Sequence, residues 1–380
     1  MTTTSPSFDR PEPSGAAAPR KRFAPRLTAG IALVLAILMT LLAVTQSRLL
    51  LAEWQELNST RDGLAAAELA YKAMSAAERA SFERGPSNAM LGAAEAADPA
   101  LRKRLADARA KTDETLLGLT VAIGRHCPAG CQASEDLRVA TDMLNAARNR
   151  VDAVSSLPRE QRTSVMVSKA VNRMFEVIPI LIGMTSELSK TVIDTDPQQQ
   201  PAMLGALLAV ELREYAGRLG SLFTAALTEQ RQLTEAERRD IAMMRGRITQ
   251  LHDLIRRQGE LSKGDPIKLG ALTKMDAEYF GNGLAFVDAV ETALDKAPFP
   301  AMTTAAFAAS YVPPMKSIVE VRDTLMQAAL ESAQRRHEAA QRNLVADAAM
   351  GMAALVLIVV MFLMTRRLVS SIHCSQPGKE

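Results

Sequence analysis

Two long, predominantly apolar runs mark this chain, from Leu27 to Val44 and from Ala348 to Thr365, each about 18 residues without a charge. Between them lie about 300 residues in which apolar positions recur every three or four. Each uncharged run approaches the ~20 residues that cross a hydrocarbon core of ~30 Å at ~1.5 Å per residue. The pattern predicts two membrane helices, residues 27–46 and 348–365, bracketing a folded domain over 47–347 on one side of the bilayer.

Within that middle stretch, helical segments alternate with short breaks rich in Pro, Gly and Asp. A first helix is predicted from Arg48 to about Phe82, followed by a break at Gly85-Pro86 and a short segment to Gly92. Asp98-Pro99 reads as a helix start, with Asp at the N-cap and Pro at the first helical position, and that helix extends to about Gly124. Two more are predicted over Ser134–Ser155 and Arg159–Asp194, the second kinked or shortened at Pro179. The polar turn Asp194–Pro201 divides the domain into halves, 47–194 and 202–347, which read as two stacked bundle modules. Ile318, Val321, Leu325 and Ala328 begin a last helix near Pro313-Pro314 that runs through Arg335 and Arg342 into the second apolar run, a rod of roughly 80 Å at ~1.5 Å per residue.

The halves echo each other faintly. Arg84-Gly85-Pro86-Ser87 and Arg218-Leu219-Gly220-Ser221 each place a Ser three residues after an Arg. A helix start follows in each half: Asp98-Pro99 in the first and the capping box Thr234-Glu235-Ala236-Glu237 in the second. Basic amphipathic helices come next, Leu101–Leu119 and Arg238–Ile255.

Composition narrows the class. Aromatics make up 4% of the chain, which suits long helices and an all-α fold better than a sheet. Lys and Arg number 45 against 42 Asp and Glu, a net charge of +3 that gives a nucleic-acid partner no support. The basic excess has a local address. Arg20, Lys21, Arg22 and Arg26 precede the first run and Arg366 and Arg367 follow the second, so the positive-inside rule places both ends in the cytoplasm. Residues 1–26 are then a disordered basic leader, 366–380 a short tail, and the domain lies in the periplasm of a bacterial inner membrane. A cleaved signal peptide is the competing reading of the first run, although Thr45-Gln46-Ser47-Arg48 lacks a small-x-small cleavage pattern.

Catalytic signatures are missing: no phosphate-binding loop, nucleophile elbow, zinc-binding His pair or dinucleotide fingerprint occurs. Glu235 with Glu237 and Asp194 with Asp196 pair carboxylates, but at cap and turn positions where acids serve structure. The expectation is a non-enzyme without cofactor or metal. Cys127 and Cys131 flank a tight loop and are expected to pair as a disulfide in an oxidising compartment. His126 leaves a metal alternative open, with His252 and His337 isolated. Cys374, on the cytoplasmic side, is free or acylated.

Glu83-Arg84-Gly85-Pro86-Ser87-Asn88-Ala89-Met90-Leu91, with Asp98-Pro99 and Thr112-Asp113 after it, is similar to the Glu-Arg-Gly segment of helical sensor domains of the nitrate- and nitrite-sensing type. The two-helix layout resembles the sensing half of bacterial chemoreceptors, sensor histidine kinases and membrane diguanylate cyclases, and the paired halves resemble helical bimodular sensor domains. The resemblance implies a homodimeric transmembrane sensor that binds a small, anionic ligand through arginines near the bundle midline. Arg84 carries over through Glu-Arg-Gly and Arg218 through the repeat; Ser87, Asn88 and Ser221 add hydroxyl and amide donors on the same helical faces. The alternative is that Arg84 pairs with Glu83 or another carboxylate and the Gly-Pro break is only a kink. Thr365-Arg366-Arg367-Leu368-Val369 looks like the entrance to a linker, so an output domain is expected to be lacking and a separate signalling protein to supply it. The competing function is a membrane-tethered helical protein that binds a protein partner and no small ligand.

Overall fold

A computed structural model of the chain describes residues 24–93, 98–126, 131–261, 265–296 and 301–374, and among these every regular element is helical. Helix α1 runs from Ala24 to Phe82. It stops there because Pro86 has no N–H to give the carbonyl of Phe82. The interruption lasts one residue: Glu83 keeps helical angles, φ −58° and ψ −22°, and α2 follows at once over Arg84–Leu91.

Asp98 caps α3 (Pro99–His126), its carboxylate accepting from the amides of Ala100 at 2.8 Å and Leu101 at 3.3 Å. After α4 (Gln132–Ser155), a single 3-10 turn at Arg159–Gln161 delays α5 to Ser164–Thr195, five residues later than the apolar pattern predicts. Neither Pro158 nor Arg162 takes helical angles, and Thr163 supplies the cap that the helix needs, accepting from Met166 N. Pro179 does not shorten α5. It faces outward while Val177, Ile178 and Leu181 are buried on the opposite face, so packing holds the turn that lacks a hydrogen bond.

Asp196 ends α5 and opens the 3-10 turn Pro197–Gln199, after which α6 spans Gln200–Ser221. A short α7 (Thr224–Glu229) closes on Gln230 in the left-handed region, and α8 (Glu235–Leu261) starts from the predicted capping box. The amide of Thr234 donates to Glu237 at 2.7 Å and the amide of Glu237 to Thr234 Oγ1 at 3.2 Å. Then come α9 (Pro266–Met275), a π-helical segment Asp276–Gly283, α10 (Leu284–Leu294), α11 (Thr304–Tyr311) and α12 (Lys316–Cys374). The order long helix, short helix, capped long helix occurs twice, as α1-α2-α3 and as α6-α7-α8.

The chain forms two units. One holds residues 1–55 and 342–380, and its described parts belong to α1 and α12. Both helices are long and apolar enough to cross a membrane, with windows of mean hydropathy 1.9 and 2.5 and no residue of either window buried. Gln46 Nε2 donates to the carbonyl of Asp347 at 2.9 Å, and Gly351 leaves room for the Gln46 side chain beside it.

The other unit, residues 56–341, is a helical bundle that has, among the described residues, two large apolar cores and a small third cluster of Ala89, Met90, Ala93, Leu101 and Leu105. The alanine face of α1 (Ala66, Ala70, Ala73, Ala77) lies in the first core with α3, α4 and α5. In the second, α8, α10 and α11 surround Phe223, Tyr279 and Tyr311. Helices α6 and α12 serve both: Met203, Ala206 and Met326 enter the first core, Leu212, Leu219 and Ile318 the second.

Candidate functional site: a buried arginine cluster

Adjacent residues at the α1–α2 break reach opposite ways. Glu83, fully buried, accepts two hydrogen bonds from Arg148 of α4, Nε at 2.8 Å and Nη2 at 2.7 Å, and Arg148 Nη1 goes on to Asp113 at 2.7 Å. Arg84 turns to α6, where Nη1 meets Glu214 Oε1 and Nη2 meets Oε2, both at 2.7 Å. The expected alternative for Arg84, a carboxylate partner, is therefore present, and the partner is Glu214 rather than its neighbour Glu83.

Glu214 is a junction. Arg218 Nε donates to its Oε1 at 2.6 Å and Ser81 Oγ to its Oε2 at 3.0 Å. Both Arg84 and Arg218 lie against the ring of Phe175, each with Cζ 5.1 Å from the centroid. Burial alone would raise the Glu214 carboxyl, but the two arginines outweigh it and hold its pKa below the ordinary carboxylate value.

Four of the five residues singled out from sequence gather here. Arg84 and Arg218 share Glu214, and Asn88 Nδ2 donates to Ser221 Oγ at 3.0 Å, so the two segments of the proposed repeat touch. Ser87 is different: it is buried, and its hydroxyl is spent on the carbonyl of Glu83 in its own helix at 2.9 Å. Cys131 is half-buried at the start of α4, while Cys127 lies outside the described residues, so the cysteine pair is not defined. Among the described residues no cluster of His, Cys, Asp and Glu could hold a metal ion.

Arg213 escaped the sequence reading. It is 5% exposed, and among the described residues its guanidinium forms no ion pair and donates only to Ser81 Oγ, at 3.4 Å. Desolvation and the nearby Arg84 push its pKa down, against the pull of Glu78 and Glu214. Arg84 and Arg218 thus share the carboxylate of Glu214, while Arg213 feels Glu78 and Glu214 without an ion pair to either among the described residues. Gly217 makes the crowding possible, since a Cβ there would stand 2.5 Å from Arg84 Nη2 and 2.9 Å from Arg213 Nη1. A signal existed: Val210, Arg213, Gly217 and Gly220 follow helical spacing, which puts a charge on the apolar face of α6.

Beside Arg213 is a chamber of about 40 Å³, bordered also by Arg84, Asn88, Ser221 and Tyr311. Tyr311 is positioned by a hydrogen-bonded row: its hydroxyl donates to the carbonyl of Ala216 at 2.9 Å and lies 3.0 Å from the hydroxyl of Tyr279, which comes from the π-helical segment. The chamber has room for about one water-sized group or a small ion. Its wall combines two guanidinium groups, an amide and hydroxyls.

Among the described residues the architecture is all-helical, with two helices long and apolar enough to cross a membrane. No family model matches the chain, and no curated protein does. Among solved structures, that of the NasR transcription antiterminator is similar, with 16% sequence identity and a TM-score of 0.57 over 81% of this chain and 82% of that one. At this identity the likeness is one of fold.

Proposed function

We propose that the protein is a transmembrane sensor that binds a small anion in the chamber beside Arg213. The observation that carries this reading is the Arg213 guanidinium, buried next to a small cavity and without an ion-paired carboxylate among the described residues, with the second N–H of the Asn88 amide and the unpartnered Thr304 hydroxyl on the same wall. A buried cation without a directly paired anion keeps much of a desolvation penalty of roughly several kcal/mol. A small oxyanion would supply the missing charge and accept paired hydrogen bonds from a planar guanidinium. Glu214 keeps Arg84 and Arg218 in place and leaves Arg213 as the group that a ligand would neutralise.

In this reading the domain faces the periplasm of a bacterial inner membrane, the protein works as a homodimer, and it has no catalytic role. Occupancy is passed on as a shift of α12 relative to α1. The two helices already meet at the cluster, where Arg322 of α12 donates to the carbonyl of Met74 at 3.3 Å and, like Arg213 and Ser81, borders a second small void. Converging buried arginines favour this reading over a tether for a protein partner.

The test is a thermal-shift screen of the full-length protein in lipid nanodiscs against nitrate, nitrite, small carboxylates and amino acids, with Arg213→Met and Arg84→Ala beside the parent. An anion that stabilises the parent and not Arg213→Met is the expected result, because a ligand of the folded state alone stabilises it by mass action. A well-folded parent indifferent to every anion contradicts it.

A further inference from the structure

Arg213 borders another and much larger cavity, of about 690 Å³. We propose that the ligand is a monocarboxylate with an apolar tail, its carboxylate against Arg213 and its tail in this cavity. The proposal rests on the anion-binding reading above and narrows it to one ligand class.

Three observations support it. The two cavities share Phe82, Gly85, Arg213, Ala308, Val312 and Met315, so the guanidinium serves both spaces. The large cavity is walled by apolar groups from four elements, among them Phe82 of α1, Pro86 of α2, Ala308 of α11 and Val319 of α12. A bare inorganic ion gains nothing from such walls, whereas sites for organic ligands typically enclose ~300–1,000 Å³ of mostly apolar lining with a few placed polar groups. Finally, charge around the cavity favours an anion. Arg79, Arg104, Arg213, Lys316 and Arg322 border it against Glu78 and Asp323. Arg322 is tied to Asp323 at 2.7 Å and Arg79 to Glu78 at 3.6 Å. Arg104, Arg213 and Lys316 carry the excess, and of these three Arg213 alone is buried.

The experiment is calorimetric titration of the full-length protein in nanodiscs with the sodium salts of formate, acetate, butyrate and hexanoate, with nitrate and with 1-hexanol. Affinity is expected to rise with tail length by up to about fourfold per buried methylene, from ~0.8 kcal/mol each and 1.4 kcal/mol per tenfold. Hexanol, which lacks the charge, is expected to bind at least tenfold more weakly than hexanoate. In Ala305→Phe, a change at a residue that borders the large cavity and not the small chamber, the dependence on length should flatten while formate still binds.

Formate and nitrate binding as tightly as hexanoate would overturn the tail and leave the anion site standing. Hexanol matching hexanoate would overturn the carboxylate's part, since the tail alone would then account for binding. No binding of any anion to the folded parent would overturn the anion reading itself and this proposal with it. The length series on the parent decides the matter even where Ala305→Phe fails to fold.

Discussion

Arg84 and Glu214, 130 residues apart in sequence, meet in a buried two-pronged ion pair with both hydrogen bonds at 2.7 Å. Removing one partner of such a pair strands the other charge, which typically costs about 3–5 kcal/mol, whereas apolar replacement of both often costs far less. Arg84→Met and Glu214→Leu should each lower the urea midpoint strongly, and the double variant by less than the sum. Glu214→Leu should be the more damaging single change, since it leaves Arg84, Arg213 and Arg218 facing one another. Chemical denaturation of the four proteins measures the coupling.

Acid should weaken this junction. The folded-state pKa of Glu214 is depressed, so its contribution to stability is complete above the unfolded carboxylate value of about 4.3 and is lost as pH falls through the lower folded value. The stability gap between the parent and Glu214→Gln is therefore expected to be widest near pH 7 and to shrink below about pH 4. Urea midpoints at a series of pH values test the sign; a gap that widens in acid would contradict it.

Gly217 should not tolerate a side chain. A methyl there would press on the pinned ends of Arg84 and Arg213, at 2.5 and 2.9 Å. Gly217→Ala is expected to destabilise by about 1–3 kcal/mol, the usual cost of overpacking, even though alanine has the better helix propensity. Gly246, exposed on α8, provides the control: a methyl there would meet nothing within 4 Å, and alanine should stabilise slightly. Thermal melts of the two variants distinguish the sites.

Tyr311→Phe removes the side-chain donor to the buried carbonyl of Ala216, which keeps its helical partner, and leaves the Tyr279 hydroxyl without its acceptor. A loss of about 1–3 kcal/mol is expected, the cost of an unsatisfied buried group. Tyr279→Phe should cost less, because the Tyr311–Ala216 bond survives. The same denaturation assay ranks the two.

The helices were legible wherever punctuation was chemical. Asp98-Pro99 and Thr234–Glu237 form the caps that their residue types imply, and Pro86 ends α1. The site was only partly legible, because Glu-Arg-Gly marks where Arg84 begins and not where it goes. Its partner Glu214 lies 130 residues on, and a pairing of that span leaves no local pattern. Arg213 was hidden for another reason. A charge at an apolar position of α6 looks like noise in a hydrophobic pattern, and its meaning depends on the cavities that α2 and α11 close around it. Pro179 does not shorten α5, because packing on the far face offsets one missing hydrogen bond.

The most direct test of the central claim is the stability of Arg213→Met with and without a small anion, at fixed ionic strength with a bulky sulfonate as the reference anion. The account predicts that removing a buried charge that lacks an ion pair raises the urea midpoint in sulfonate and erases the further rise that nitrate or a short carboxylate gives the parent. A variant that is weaker than the parent in sulfonate yet still stabilised by the small anion would contradict it.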